Sequence, residues 1–210
     1  MFRLLALLMG YGFGLIQMAY IVGRIRGIDI REHGSGSSGT TNALRVLGSK
    51  AGVIVFFVDM SKAIVAVALA AWLFYEHGAV AGIYAGLGTI LGHCFPFYLR
   101  FKGGKGIACY VGMLLAIHPF MALTLMAIGA SLLIFTRYMS LTSLVVTGLT
   151  PLFLHVWRFD GEVVAISLVA AILCYVLHRG NIVRLITGTE RKVGERVGAA
   201  SATTLETSED

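Results

Sequence analysis

The sequence predicts an all-α integral membrane protein with seven transmembrane helices, its N-terminus outside the cell and its C-terminus in the cytoplasm. Of the 210 residues, 57% are hydrophobic and 13% are charged, and the mean hydropathy is +0.83. A soluble domain carries about 25% charged residues, so this composition excludes an ordinary soluble protein. We expect residues 1–192 to form one membrane domain and residues 193–210 to form a polar, disordered tail.

Seven apolar segments account for the predicted helices. The first is long enough to span a bilayer and lacks a convincing cleavage site, so we expect it to be retained rather than removed as a signal peptide. The fourth is shorter than the roughly 20 residues that a straight span needs, and with the fifth it could instead form one kinked or re-entrant unit. The segments cover residues 4–22, 53–75, 79–99, 107–118, 120–136, 141–157 and 163–178.

The positions of the 17 lysines and arginines indicate the orientation. Most of them follow the first, third, fifth and seventh segments, whereas Arg3 and Arg158 fall on the other side. Basic loops are retained in the cytoplasm, so the loops after the odd-numbered segments should face the cytoplasm. Merging the fourth and fifth segments would break this alternation for Arg137, which favours seven spans over six.

Two patterns inside the apolar segments predict helix packing. Glycines recur at four-residue spacing between Gly78 and Gly92, and small residues at that spacing let helices approach closely in lipid. Asp59 and Lys62 lie three residues apart in the second segment, where unpaired charges are costly. We therefore expect these two side chains to pair with each other or with the loops.

The loop Gly34–Asn42, which follows the first segment, is suited to an anion. It contains five Ser or Thr hydroxyls and three glycines. Thr41 or Asn42 could cap a short helix that carries Arg45, and the N-terminus of that helix would favour phosphate. A flexible Gly/Ser linker is the alternative, but the Thr-Thr-Asn sequence and the arginine are unlike a simple linker.

The loop Gly92–Gly106 places Lys102 and Lys105 among glycines directly after an apolar segment. Glycines let backbone N–H groups approach a ligand, and lysines supply point charges suited to phosphate. The nucleotide P-loop pattern is not met, because no Ser or Thr follows Lys105 and a membrane helix rather than a strand precedes the loop. A basic anchor for anionic headgroups is the alternative. His93 could be a catalytic base, but we favour a structural role.

The stretch His178–Glu190 lies where the seventh segment meets the cytoplasm, and it offers an imidazole, two arginines, an amide and a carboxylate. His178 and Asn181 share a face if the helix continues. Ser140 and Ser143 open the sixth segment on the same side. An interfacial helix with orienting arginines is the alternative. Together the three loops predict a cytoplasmic-leaflet site for a phosphorylated substrate whose lipid tail lies between the helices.

At these residues the chain resembles the acyl-phosphate-dependent glycerol-3-phosphate acyltransferases of bacterial membranes. The second motif of that family matches Gly92–Gly106 and the third matches His178–Glu190. The first motif matches with two departures, since Ser37 stands where Asn is usual and Thr40 where Ala is usual. The Asp-x-x-Lys pair of the second segment and the Ser-Leu-x-Ser sequence that opens the sixth also fit.

The resemblance implies a seven-helix bundle and a reaction. The sn-1 hydroxyl of glycerol-3-phosphate attacks the carbonyl carbon of a fatty acyl phosphate, and lysophosphatidic acid and inorganic phosphate leave. Acyl phosphate is already activated, so positioning and charge neutralisation could supply much of the rate. No metal, other cofactor, nucleic acid or obligate protein partner is expected. The expected location is the bacterial cytoplasmic (inner) membrane, with the active site facing the cytoplasm.

The resemblance also implies roles for individual residues. Those expected to bind acyl phosphate are Thr41, Asn42, Lys102, Gly103, Gly104, Lys105 and Gly106. Those expected to bind glycerol-3-phosphate are Ser35, Arg45 and Lys105, with Ser143, His178 and Asn181 at its glycerol end. The expected catalytic residues are Lys105, His178, Asn181 and Ser143. Either His178 or the leaving phosphate could take the proton of the attacking hydroxyl.

A transporter or channel for phosphorylated anions is the alternative function. It would need a polar path through the membrane, whereas the polar groups of this sequence concentrate at one face. A lipid-binding structural protein is a weaker alternative, because it would need no set of phosphate-suited loops.

Overall fold

The protein is a bundle of α-helices. The computed structural model describes residues 1–194, and within them every regular element is helical. The tail that we predict to be disordered lies, from residue 195 onward, outside the described residues. The helices are α1 (Phe2–Gly14), α2 (Met18–Ile25), α3 (Thr40–Leu47), α4 (Ser49–Leu73), α5 (Gly78–Cys94), α6 (Ile107–Ile117), α7 (Pro119–Thr136), α8 (Met139–Val156), α9 (Gly161–Leu177) and α10 (Arg179–Ile186).

The bundle has the dimensions and surface of an integral membrane protein. Up to six segments of the described chain could cross a membrane, and the sixth is formed by α9 and α10 if they are counted as a single helix bent by 62°. α6, with 11 residues, rises about 16 Å, roughly half the thickness of a bilayer core. Large apolar side chains such as Trp72 and Phe135 point outward. Five segments of the described chain are long and apolar enough to cross a membrane: Phe2–Ile25, Ser49–Leu73, Tyr75–Leu99, Pro119–Thr136 and Met139–Val156.

The all-α membrane fold is therefore confirmed, while seven spans and their orientation stay predictions. The boundary between the fourth and fifth apolar segments is real: α7 begins at Pro119, and Nδ1 of His118 accepts a hydrogen bond from the N–H of Met121 at 3.1 Å. Proline has no N–H and cannot continue the preceding helix, so α6 ends there.

The first apolar segment is not the single uninterrupted helix that the sequence predicts. α1 ends at Gly14 and α2 begins at Met18. Gln17 is fully buried at the break, and its side-chain amide donates to the carbonyl oxygen of Gly14 at 3.1 Å. The ammonium of Lys62, on α4, donates to the carbonyl oxygen of Ile16. The carbonyls released by the break are thus satisfied by buried side chains, which an apolar sequence pattern does not reveal.

Glycines allow α1 and α5 to pack almost backbone to backbone, as the glycine spacing predicts. A Cβ atom at Gly88 would lie 2.1 Å from the carbonyl oxygen of Leu7, and one at Gly92 would lie 2.2 Å from that of Tyr11. Reciprocally, a Cβ at Gly10 would lie 2.0 Å from a carbonyl oxygen of α5. Because α5 carries the second loop at its C-terminal end, this contact fixes the position of that loop.

Candidate active site

The three loops singled out in the sequence line one cavity of about 610 Å³. Residues of α3 and the preceding loop form one wall, and the stretch between α9 and Arg191 forms another. Lys105 and Gly106 of the second loop, Ser140 and Ser143 of α8 and Asp59 of α4 also line it. Of the predicted site residues, the cavity is lined by Ser35, Thr41, Asn42, Arg45, Lys105, Gly106, Ser143, His178 and Asn181.

The cavity is positively charged. Five of its lining residues are lysine or arginine, and two are acidic. Both carboxylates are already paired, Asp59 with Lys62 and Glu190 with Arg184. Cations therefore outnumber carboxylates in the lining, which suits phosphate, a ligand with more than one negative charge. The five cations are Arg45, Lys105, Arg179, Arg184 and Arg191.

The second loop folds back onto the end of the helix that precedes it. Arg100 and Phe101 have φ values of 55° and 58°, and this left-handed turn reverses the chain. The N–H of Gly103 then donates to the carbonyl oxygen of Cys94, and the N–H of Gly104 donates to that of His93, both at 3.1 Å. Carbonyls at the C-terminal end of α5 are thereby satisfied by the loop itself.

Three predicted acyl-phosphate ligands, Lys102, Gly103 and Gly104, do not line the cavity, and their binding of acyl phosphate stays a prediction. The N–H groups of the two glycines are used within the protein, and the side chain of Lys102 is exposed outside the cavity lining. Glycine is needed here for a different reason, because a Cβ at Gly103 would lie 2.0 Å from the carbonyl oxygen of His93. Within residues 102–106, Lys105 and Gly106 line the cavity, and His93 lines it from the start of the loop.

Lys105 joins the second loop to the third. Its Nζ donates a hydrogen bond to Oδ1 of Asn181. Burial lowers the pKa of Lys105 below its usual 10.5, Glu190 opposes that change, and Arg184 and Arg45 reinforce it. Nearby positive charges and partial desolvation make this ammonium ready for a phosphate, which would replace the lost hydration with a charged partner.

Glu190 organises the third loop. Its Oε1 accepts hydrogen bonds from Oγ of Ser140 at 2.8 Å and Nδ2 of Asn181 at 2.7 Å, and its Oε2 accepts from Nε of Arg184 at 2.7 Å. Burial alone would raise the pKa of Glu190, but these hydrogen bonds outweigh it, and the pKa is lowered. The carboxylate is therefore ionised at neutral pH. It fixes the direction of the Asn181 amide, whose other end receives Lys105.

His178 lies at the 62° bend between α9 and α10. The helix does not continue straight through His178, so the condition for a face shared with Asn181 is not met, although both residues line the cavity. Nδ1 of His178 lies 2.8 Å from the carbonyl oxygen of Cys174. A carbonyl only accepts, so Nδ1 carries the proton of a neutral imidazole and Nε2 is left as the acceptor. Oγ of Ser143 donates to the carbonyl oxygen of Met139 at 2.8 Å and can still accept.

Asn42 shapes the first loop from within. Its Oδ1 accepts from the N–H of Ser35 at 2.8 Å, and its Nδ2 donates to the carbonyl oxygens of Ile30, His33 and Ser37. The side chain is buried and its polar atoms are occupied, so Asn42 positions Ser35. Its binding of acyl phosphate stays a prediction. The predicted cap is also wrong, because α3 begins after Gly39 and neither Thr41 nor Asn42 makes a capping bond.

The first and second loops meet at the N-terminus of α3. A Cβ placed on Gly39 would lie 4.0 Å from the backbone nitrogen of Lys105. The first N–H groups of a helix lack partners within the helix and attract anions. Thr41, in the first turn of α3, and Lys105 both line the cavity.

Sequence reasoning missed the part played by Glu190 as the hub of the third loop and the presence of Asp59 and His93 in the cavity lining. A signal for Glu190 exists, since a turn with glycine separates it from Arg184 and the pair can then close on each other. No local pattern brings Asp59 and His93, on different helices, to one cavity.

The fold and the cavity define a membrane-embedded enzyme with a cationic site for a phosphorylated substrate. The chain belongs to the glycerol-3-phosphate acyltransferase family, whose sequence model matches residues 4–188. The glycerol-3-phosphate acyltransferase of Thermoanaerobacter sp. strain X514 is 39% identical over 93% of this chain and 98% of its own. That of Sinorhizobium fredii is 40% identical over 92% and 93%.

Solved structures share the fold. The glycerol 3-phosphate form of PlsY, an integral membrane glycerol 3-phosphate acyltransferase, is 35% identical and covers 91% of this chain and 96% of its own, with a TM-score of 0.85. The lysophosphatidic acid form of the same protein has a TM-score of 0.83 at the same identity. These findings confirm the family that the three motifs indicate.

Proposed function

We propose that this protein transfers a fatty acyl group from acyl phosphate to the sn-1 hydroxyl of glycerol-3-phosphate. The hydroxyl oxygen bonds to the carbonyl carbon, the bond from that carbon to the phosphate oxygen breaks, and the hydroxyl proton passes to a base. The products are lysophosphatidic acid and inorganic phosphate. The observation that carries the proposal is the position of Lys105, which meets Asn181 in a cationic cavity built from all three motifs.

Glycerol-3-phosphate binds, in this proposal, between the first and third loops. Ser35 and Arg45 line the cavity on one side, and their hydroxyl and guanidinium groups suit a phosphate. Ser143, His178 and Asn181 line the other side, where acceptor atoms on Ser143 and His178 suit the hydroxyls of glycerol. Lys105 lies between the two sets and compensates the negative charge of the phosphate.

The phosphate of the acyl donor binds at the junction of α3 and the second loop. Thr41, Lys105 and Gly106 are the predicted acyl-phosphate ligands that border this part of the cavity. Apolar side chains of Phe56, Ile107 and Leu177 also line it and offer a path for the acyl tail. The ammonium of Lys105 suits the phosphate head of the donor, and the neighbouring apolar side chains suit its lipid tail.

Two groups can receive the hydroxyl proton. Nε2 of His178 is an acceptor in the neutral tautomer that the Cys174 carbonyl selects. The departing phosphate is the other, because its oxygen is bonded to the reacting carbon and therefore lies next to the attacking hydroxyl. We propose that the phosphate takes the proton and that His178 orients the hydroxyl.

We propose further that the chain crosses the bacterial cytoplasmic membrane seven times, with the cavity facing the cytoplasm. The guanidinium of Arg3 pairs with Glu162, so the start of α1 and the start of α9 lie at one end of the bundle. The cavity, which includes His178, lies at the other end of α9. Arg3 therefore lies at the opposite end of the bundle from the more numerous basic residues near the cavity. This supports an orientation in which the cavity end faces the cytoplasm, as the positive-inside rule predicts.

Purified protein tests the proposed reaction. With palmitoyl phosphate and glycerol-3-phosphate in detergent, we expect equal amounts of lysophosphatidic acid and inorganic phosphate. Palmitoyl-CoA in place of palmitoyl phosphate should give no product. Product only from the coenzyme A ester, or flux of glycerol-3-phosphate into liposomes without acyl transfer, would refute the proposal and favour a different donor or a transporter.

A further inference from the structure

A group of buried ionisable side chains lies beneath the second loop and has no place in the reaction described above. Asp59 and Lys62 of α4 and His93 of α5 are exposed by 0%, 5% and 3%, respectively. Asp59 and His93 nevertheless reach the lining of the cavity. Charges are costly to bury unless they have partners, so a group of this kind needs an explanation.

Lys62 connects three parts of the protein. Its ammonium lies 2.6 Å from Oδ1 of Asp59 and 3.0 Å from Nδ1 of His93, and it also donates to the carbonyl oxygen of Ile16. Gly14, whose carbonyl oxygen lies 3.4 Å away, ends α1. The break between α1 and α2 therefore creates the carbonyls that hold this ammonium, together with one carboxylate.

His93 carries this connection to the second loop. An ammonium only donates, so Nδ1 of His93 accepts and Nε2 bears the proton. On the far side of the ring, a Cβ added to Gly104 would lie 2.1 Å from Nε2. The backbone N–H of Gly104 also donates to the carbonyl oxygen of His93 at 3.1 Å. Gly104 is thus held by both the ring and the backbone of His93, and Lys105 follows it directly.

The same group could suggest a metal site, but the geometry argues against one. Potential ligand atoms of Asp59, His93 and Cys109 lie within 4.8 Å of one another. The ammonium of Lys62 already contacts the first two of these residues. A metal ion would compete for the same lone pairs beside a buried positive charge. Lys62 therefore acts as the cation of this group.

We propose that Asp59, Lys62 and His93 form a positioning unit that fixes Gly104 and, through it, the ammonium of Lys105. Asp59 holds Lys62, Lys62 orients the imidazole, and the imidazole sets the surface on which the loop rests. Among the described residues, Oδ2 of Asp59 has no hydrogen-bond partner, so the ionic contact of this carboxylate runs through Oδ1. The inference rests on the proposed function, because it assigns the unit to the residue that binds phosphate.

A purely structural role makes a different prediction, and a neutral double variant separates the two. Asp59→Asn with Lys62→Met removes both charges at similar volume, and a pair that only balances charge can be lost in this way without loss of activity. We expect a folded protein of lower thermal stability, because the carbonyl oxygens of Gly14 and Ile16 lose a donor. Its kcat/KM for palmitoyl phosphate should fall about tenfold or more, the effect of a displaced binding group. Wild-type kcat/KM in the folded double variant would overturn the proposal.

A second test does not depend on removing the charges. His93→Asn keeps an acceptor near the position of Nδ1 for Lys62 but is too short to reach Gly104. Gly104→Ala should lower kcat/KM about tenfold or more in the wild type, since backbone shifts of about 1 Å can cost this much, but should have little further effect in His93→Asn. An equal effect of Gly104→Ala in both backgrounds would overturn the contact as the means of positioning.

The wild-type reaction serves as the common reference. If the wild type forms no lysophosphatidic acid from palmitoyl phosphate, the proposed function is wrong. If the wild type is active but the neutral double variant is equally active, only the positioning unit is wrong. Thermal stability measured on the same samples shows whether a loss of activity comes from unfolding. If the neutral double variant is unfolded, the effect of Gly104→Ala in the wild-type and His93→Asn backgrounds decides whether the positioning unit exists.

Discussion

Lys105 donates a hydrogen bond to Asn181 across a separation of 76 residues in the chain. The amide of Asn181 is held in turn by Glu190, whose Oε1 accepts from its Nδ2 at 2.7 Å. An acceptor of fixed direction therefore receives the ammonium before any substrate arrives. Such preorganisation lowers the cost of arranging charge around a reacting phosphate, because the dipoles already point the right way.

Lys105 and Lys102 offer a matched comparison within one loop. Lys105 lines the cavity and Lys102 is exposed outside its lining. We expect Lys105→Ala to lower kcat/KM by about 10²–10³, the usual effect of losing one preorganised electrostatic contact. Lys102→Ala should stay within about twofold of the wild type, as expected for an exposed side chain. Equal losses in the two variants would show that both lysines bind substrate.

Glu190→Gln tests the hub of the third loop. The substitution keeps the shape but places an amide where a carboxylate accepts from Ser140, Asn181 and Arg184. Hydrogen bonds to charged groups contribute about 1.5–3 kcal/mol, so we expect kcat/KM to fall about 10- to 100-fold. Glu162→Gln is the control, because that carboxylate pairs with Arg3 outside the cavity. An unchanged rate in Glu190→Gln would contradict the role of the hub.

The lowered pKa of Lys105 predicts a loss of substrate affinity at alkaline pH. Because its folded-state pKa lies below 10.5, the ammonium loses its proton at a lower pH than an ordinary lysine. KM for glycerol-3-phosphate should therefore rise as the pH increases through the lowered pKa of Lys105. Arginine stays charged throughout this range, so in Lys105→Arg the rise should be absent even if the overall rate is lower. The same alkaline rise in both proteins would assign it to another group.

His178→Gln tests the base. A glutamine can still contact a hydroxyl but cannot accept a proton in the reaction. If the phosphate is the base, as we propose, we expect kcat to fall by about tenfold or less, the size of one lost positioning contact. An essential imidazole base would instead cost about 10²–10⁴. The pH–rate profile checks this independently, because its acidic limb should persist in the variant if the titrating group is the phosphate.

The sequence predicts those features that depend on local pattern. Apolar length locates the helices, and the motif residues Lys105, His178 and Asn181 do meet in one cavity. The break after Gly14 could not be predicted, because its carbonyls are satisfied by Lys62 on another helix. The direction of the Gly104 N–H was missed for a similar reason. A glycine-rich loop can turn its N–H groups toward a ligand or toward the protein, and tertiary contact with His93 decides between them.

The glycines of the α1–α5 interface give the final prediction, which concerns stability. A Cβ at Gly88 would lie 2.1 Å from the carbonyl oxygen of Leu7, whereas a Cβ at Gly12 would have no other atom within 4 Å. Gly88→Ala must push two backbones apart, and overpacking of this kind costs about 1–3 kcal/mol. Gly12→Ala should be neutral or slightly stabilising, because alanine favours a helix by about 1 kcal/mol over glycine. Thermal unfolding in detergent measures both, and similar melting temperatures for the two variants would contradict the close approach of α1 and α5.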